Sequence, residues 1–554
     1  MNNIFKTGIF AMAAFALVAC GDSFLDTMPD NRTEIDNQDK VVSLLVSAYP
    51  THDYQMITEY MSDNVDDYST SSPNTSRYLE EVYFWKDVTE SNNESPENYW
   101  QGEYLCIATA NQALQAIDKI VAESGWTQTL HEAQAEALMC RAYAHFMLVN
   151  IFAKNYNSQT ASTDPGITIM LEPETTLNPQ YQRNTVAECY EAIQKDIEAA
   201  LPYVGSSYYK IPKYHFNESA ANAFAARFYL YYEKWDKAIE YANKVLGTNP
   251  KTVLRDYAAV GAESTCLAAA QVYIDAKSNA NLLLATAYSY MGNAMSNYST
   301  WKRFAHIPYL SANETALAPH PWGTISATDY YAPLKTYNST SAAYHIFWRV
   351  PYLFEYTDAV AGTGYRHTIF PLFTTDEALL NRAEAYIHLQ QYQKACDDLN
   401  LWVSNFVKTG ATEMTPESIQ EFYEGVSYCY ENVDGEYVST PKKHLHPAFS
   451  IDAEGSIQES MFQALLNARR LEQLAQGMRW FDVKRFGIVI PRRTCNAAGA
   501  PEKYIDWLEV DDPRRAVQIP QKVRDAGYEP NSRASVITSN AADVPTPDPE
   551  TDTE

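Results

Sequence analysis

Between Asn281 and Tyr365 the chain holds 17 aromatic residues in 85 positions, 20% against 13% overall. The window lacks helical periodicity, so its rings are less obliged to face a core. Tyr290, Tyr298, Trp301, Tyr309 and Trp322 lie among Asn, Ser, Gly and Pro. Flat apolar rings beside amides and hydroxyls suit the C–H faces and hydroxyl groups of a sugar. These five are the leading candidates for a stacking platform. The competing reading packs each ring beneath a long loop.

Other chemistry is thinly represented. Asp63, Asp66 and Asp67 have carboxylates for a hard cation, but the run has no loop glycine and no downstream Glu at EF-hand spacing. It reads as a solvated acidic loop. His444 and His446 share one side of an extended segment, with Pro447 following and no further ligand placed. Arg479-Trp480-Phe481-Asp482 sets an Arg and an Asp three apart after a long amphipathic stretch, and reads as fold glue. No H-E-x-x-H, G-x-S-x-G or P-loop occurs. Asp397-Asp398 and Asp511-Asp512 are adjacent pairs, whose side chains point apart on a helix or strand. No catalytic residue, metal or cofactor is expected.

The 554 residues carry 42 Lys and Arg against 69 Asp and Glu, a formal charge of −27. That field repels a phosphate backbone and excludes nucleic acid as a partner. Lys6 and the 12-residue apolar run Gly8–Ala19 make a signal-peptide core too short to span a bilayer. The run ends in Leu17-Val18-Ala19-Cys20, which resembles a bacterial lipobox with Cys20 as the lipidated residue. The mature chain would have 535 residues, exported and tethered. The other seven cysteines, Cys106, Cys140, Cys189, Cys266, Cys396, Cys429 and Cys495, form no C-x-x-C pair and read mainly as small buried hydrophobes. An odd count leaves at least one thiol free.

Helices must carry these groups. Trp100–Val121, Leu130–Phe152, Asn184–Ala200 and Ile457–Met478 have apolar stripes or caps of helical type. Residues 41–49 start the first helix, and 63–97 reads as loop around Tyr83-Phe84-Trp85. Ala226, Tyr229, Ala238 and Pro250 stand at offsets 0, 3, 12 and 24, the pattern of a tetratricopeptide helix pair. Ala383, Tyr386 and Ala395 repeat the first three offsets, on helices expected at Asp376–Leu389 and Tyr392–Asn405. The copies lie 157 residues apart, so no continuous solenoid is expected. Residues 251–370 between them read as an irregular insertion with strand-like runs at Asn281–Tyr288 and Tyr344–Val350.

Several segments together resemble the SusD/RagB family of nutrient-uptake lipoproteins. Phe24-Leu25-Asp26 follows Cys20 as in that family. Ala135 to Phe152 is similar to its Arg-Ala-containing helix, Ala220–Leu246 to its Ala-rich hairpin, and Arg469–Arg485 to its closing Arg-Trp-x-Asp signature. Ile519-Pro520 matches an element near its C-terminus. Departures are Asn467-Ala468 and Gln476 where the family has Glu, and Ala153-Lys154-Asn155 where it turns on Gly.

The resemblance implies a mainly α fold, with tetratricopeptide-like helix pairs scaffolding a loop-rich face. It implies a binding protein on the outer membrane, facing the exterior, that passes oligosaccharide to a SusC-like TonB-dependent β-barrel. By positional analogy it adds Arg77, Tyr83, Trp85, Asn98 and Tyr99 as a second candidate cluster. The expected organisation is a signal peptide (1–19), lipidated lead-in (20–40), one domain (41–533) and acidic tail (534–554). Within that domain the helical scaffold would span 100–250 and 372–490. The alternative function is a lipid-anchored scaffold that binds a protein or peptide on its concave helices, near 220–250 and 380–405.

Overall fold

In a computed structural model of the chain, residues 34–72, 76–176, 179–297, 302–338 and 342–533 are described. The signal peptide, Cys20 and the acidic tail lie outside these residues. The helices are α1 (Gln38–Leu45), α2 (Gln55–Met61), α3 (Arg77–Tyr83), α4 (Pro96–Ser124), α5 (Gln128–Phe152) and α6 (Val186–Ala200). They continue with α7 (Glu218–Tyr231), α8 (Trp235–Leu246), α9 (Thr375–His388), α10 (Tyr392–Phe406), α11 (Ile457–Glu472) and α12 (Arg479–Arg485). Short polar residues start them as expected. Ser95 and Thr127 accept the Asn98 and Leu130 amides, and Thr185 and Glu188 form a reciprocal capping box.

The fold is mainly α, with small sheets. Helix α4 packs on α5, and α5 on α6. The two tetratricopeptide-like hairpins, α7–α8 and α9–α10, are remote in sequence but adjacent in space, because α8 packs on α9. Ala226, Ala238, Ala383 and Ala395 are all fully buried, which lets the backbones approach closely. Arg382 donates to Asn243 across the seam at 2.7 Å. The two hairpins thus meet directly, with the segment between them looping out.

The strands are β1 (Asp66–Asp67), β2 (Asn281–Tyr288), β3 (Phe304–Ala305), β4 (Leu353–Asp358), β5 (Thr363–Thr374), β6 (Ile490–Cys495) and β7 (Pro501–Leu508). Strand β2 falls where the sequence places it, whereas the second expected run shortens to a strand at Tyr344–Ile346. β2, β5 and β4 form an antiparallel sheet in that order. A second sheet, ordered β7–β6–β1–β3, ties three distant parts of the chain together. Within 63–97, then, the reading as loop is corrected by β1 and α3.

The acidic run is not solvated. Asp63, Asp66 and Asp67 are buried. Asp63 accepts from Arg479 at 2.8 and 3.0 Å and lies 3.4 Å from Arg470. Asp66 pairs with Arg493 at 3.0 Å and Asp67 with Arg303 at 2.8 Å. Glu314, from the insertion, meets Lys443 at 2.7 Å, Arg493 at 3.0 Å and Arg470 at 3.4 Å. Burial opposes ionisation of Asp63, but Arg470 and Arg479 overcome it and hold the carboxyl well below its ordinary range. Arg479 of the closing signature is therefore half of an interior ion pair, and Asp482 pairs with Arg469 at 2.8 Å. Gly477 completes the turn between them at φ +73°, where a Cβ would sit 2.3 Å from Thr58 Oγ1. The departures at Asn467 and Gln476 have replaced charge with hydrogen bonds to the Tyr423 and Tyr273 hydroxyls.

All seven described cysteines are free and buried.

Candidate functional site

The structure separates the candidate rings. Trp322 is fully buried, stacked on His320 and edge-on to Trp402. Trp85 is 3% exposed, donates its indole N–H to the Met61 carbonyl at 2.9 Å, and lies 3.9 Å from the Arg492 guanidinium. Both expectations of a solvent-facing platform at these rings are corrected. The physical reason is that a long insertion must bury apolar surface of its own. Tyr344, Ile307, Leu310 and Tyr68 form a satellite core under it, with half-buried Tyr309 packed against them. Arg493 lies 5.2 Å over the Tyr309 ring. Tyr83 and Tyr99 are buried as well. Tyr298 and Trp301 lie outside the described residues.

Arg77 is exposed and pairs with Glu90 at 3.2 Å and Glu81 at 3.7 Å. Asn98 acts locally: its side-chain amide donates to the Asn92 carbonyl at 2.6 Å, fixing the loop before α4. His444 and His446 stack 6.2 Å apart, and no group of three or more metal-ligating side chains forms among the described residues.

Tyr290 is the candidate that reaches an open cleft. The cleft is about 560 Å³ and joins both candidate regions. One wall comes from the 76–79 segment and the Asn92-Asn93-Glu94 loop, the other from Tyr290 and β5 residues Gly364, Tyr365 and Arg366. Pairing of β4 and β5 positions the second wall, with Glu355 opposite Tyr365 and Tyr356 opposite Gly364. The approach is close: a Cβ on Gly364 would sit 2.0 Å from the Glu355 carbonyl. Tyr365 is 56% exposed, Tyr356 60% and Tyr288 44%, and the Tyr288 and Tyr365 rings meet edge-on at 5.5 Å. Tyr288 and Tyr365 make a wet aromatic pair beside the cleft, and Tyr356, opposite Gly364, stands on the other sheet face.

The floor is polar and tightly bonded. The Tyr290 backbone N–H donates to Glu94, and the Tyr78 hydroxyl donates to the Glu94 carbonyl at 2.5 Å. Ser289 donates its hydroxyl to Asp53, which caps α2 through the Met56 amide at 3.0 Å. Burial, with the nearby Asp53 charge, pushes the Glu94 carboxyl up to about 7. Asn92 Oδ1 is buried and has no hydrogen-bond partner. The Arg366 guanidinium lies 5.2 Å over the Tyr290 ring. The cleft therefore offers rings, amides and a guanidinium, the set that holds polyhydroxylated ligands by stacking and hydrogen bonds. Sequence reasoning missed Tyr365, Arg366, Tyr356 and Tyr288. Their signal was a short hairpin at 353–367, closed by the Asp358 turn and Gly362 at φ +67° and paired with the strand that ends at Tyr288.

Further concavities lie elsewhere among the described residues. Trp85, Arg514 and Ile519 border one of about 350 Å³, and Trp100, Tyr104, Met170 and Tyr528 line an apolar groove of about 550 Å³. No helix among the described residues is long and apolar enough to cross a membrane.

Comparison with known proteins agrees with the architecture. A family model described as SusD-like, starch-binding associating with outer membrane, matches residues 23–230, and the SusD family model matches 289–543. A SusD superfamily protein from Bacteroides thetaiotaomicron VPI-5482 superposes with a TM-score of 0.60 at 18% identity, covering 90% of this chain and 100% of its own. A SusD-like carbohydrate binding protein from Bacteroides vulgatus ATCC 8482 gives 0.59 at 14%, covering 88% and 96%. No protein with a curated description matches the sequence. With its two halves matched in order and its whole fold shared, the chain belongs to the SusD/RagB family.

Proposed function

We propose that this protein is a lipid-anchored binding protein of the outer membrane that captures oligosaccharide outside the cell and delivers it to a TonB-dependent transporter, without turnover. The observation that carries the reading is the cleft between Asn92 and Arg366, flanked by the exposed Tyr288 and Tyr365 rings on a helical frame. Family membership and a neighbour described as carbohydrate binding support it. The lipobox at Cys20 supports the anchor. A shallow platform excludes little water, so affinity should be micromolar to millimolar, about −4 to −8 kcal/mol.

A glycan array tests the reading. Tyr290→Ala and Tyr365→Ala should each weaken the hits several-fold. Because Tyr365 is largely exposed, its replacement should change stability by less than ~0.5 kcal/mol. Hits indifferent to both substitutions would refute the placement. Co-purification with a large β-barrel tests the transporter.

A second reading, a scaffold for a peptide, draws on the apolar groove at Trp100 and Tyr104, where Leu105 is 64% exposed. It predicts peptide capture that survives Tyr365→Ala.

A further inference from the structure

Arg366 differs from the other arginines of the described residues. Each of the others makes a hydrogen bond or an ion pair. The side chain of Arg366 makes neither. It is exposed, and its recorded contact is the face of the Tyr290 ring. In a protein with 27 more acids than bases among its charged residues, this guanidinium stands at the rim of the candidate binding cleft with neither a carboxylate nor a carbonyl bonded to it.

The surroundings do not supply the missing anion. Glu94 is the acid that senses Arg366 most directly, and it is 6% exposed with an oxygen already taken by the Tyr290 amide. Glu355 lies on the neighbouring strand but is in register with Tyr365, so it projects to the opposite sheet face. Hydroxyl recognition alone is served by Asn92 and Asn93. A planar fork of donors held over a ring is matched to a bidentate carboxylate, in a way that a neutral hydroxyl is not.

We infer that the cleft selects a carboxylate-bearing sugar, a uronic acid or a related acidic residue, with Arg366 as the group that reads its charge. The inference rests on the cleft being the glycan site. Arg366 would hold the carboxylate at the rim, with Tyr290 beneath the guanidinium and Tyr365, on the other face of β5, bordering the same cleft. Elsewhere on the surface the net negative field repels such a ligand, so selection and placement have one origin.

The test uses the purified full chain on an array of neutral oligosaccharides together with carboxylate-bearing and sulfated ones. The strongest acidic hit is then titrated beside its carboxyl-methylated derivative, which has the same linkages and length without the charge. Methylation should lower affinity tenfold or more for the native protein and less than twofold for Arg366→Gln. Arg366→Lys should recover part of the difference, because the charge returns without the fork. Hits confined to neutral or sulfated glycans, or a methylation effect that survives Arg366→Gln, would overturn the inference. If neutral hits are lost in Tyr365→Ala, the charge claim fails and the cleft stands. A blank array, or hits indifferent to Tyr290→Ala and Tyr365→Ala, sinks the cleft and this inference together.

Discussion

Replacing Glu314 by Gln removes one negative charge from the interior cluster while keeping shape and volume. The carboxylate is fully buried and faces Lys443, Arg493 and Arg470 at 2.7, 3.0 and 3.4 Å. Burial by itself would raise its pKa, but the three cations reverse this and hold it at about 2, against an ordinary 4.5. At ~1.4 kcal/mol per tenfold change in acidity, that difference is worth about 3–4 kcal/mol. Breaking a buried ion pair from one side costs about 3–5 kcal/mol, so two independent routes agree. The sign follows from linkage. A carboxyl with a depressed folded pKa contributes stability that is complete above its unfolded value of 4.5 and is lost as pH falls through about 2. Glu314→Gln should therefore lose about 3–4 kcal/mol at pH 7, narrowing to about 1–2 kcal/mol near pH 3. Denaturant unfolding of both proteins across that range, followed by far-ultraviolet circular dichroism, measures the gap. A gap under ~1 kcal/mol at pH 7, or one that stays constant down to pH 3, would refute the reasoning.

Other expectations follow from burial. Neither Glu103 oxygen has a hydrogen-bond partner, and burial, partly opposed by the neighbouring Tyr99, pushes its carboxyl up to about 8. A raised carboxyl gives stability that is present below pH 4.5 and lost as pH rises through 8. Glu103→Gln should flatten the stability profile between these limits, gaining up to ~5 kcal/mol above pH 8; melting curves with an unchanged pH slope would contradict this. Trp322→Ala should cost about 3–5 kcal/mol in unfolding experiments through the cavity it leaves. The folded fraction should bind glycan as before, and selective loss of binding at native stability would return Trp322 to the recognition surface.

Much of the frame was legible because helices announce themselves locally. Thr185 caps where the sequence places a start, Ser95 and Thr127 cap a few residues before the starts read at Trp100 and Leu130, and small residues at Ala226 and Ala383 mark the helix contacts. The stacking of α8 on α9 was not legible, since spacing along the chain says nothing about two hairpins meeting across an insertion. The acidic run was misread for a related reason: the partners of Asp63 and Asp66 lie more than 400 residues away. Of the residues lining the candidate cleft, Tyr290 was among those the sequence pointed to. Trp322 was misassigned because absence of helical period was equated with exposure, whereas irregular chain needs a core too. Arg366 and Tyr365 went unnoticed because the hairpin tip is exposed on both faces, so no periodicity marks its residues.

The pairing of Asp63 with Arg479 spans 416 residues. At ~5–20 residues per second, the acid exists for roughly 20–80 s of synthesis before its base is made. Contacts of such separation form late and slow folding. Through that interval the early carboxylates favour water, since burying an unpaired ion costs several kcal/mol. Until those bases are present the early acids thus favour an open chain, and the ion cluster of the interior can close only with residues 470–493 in place.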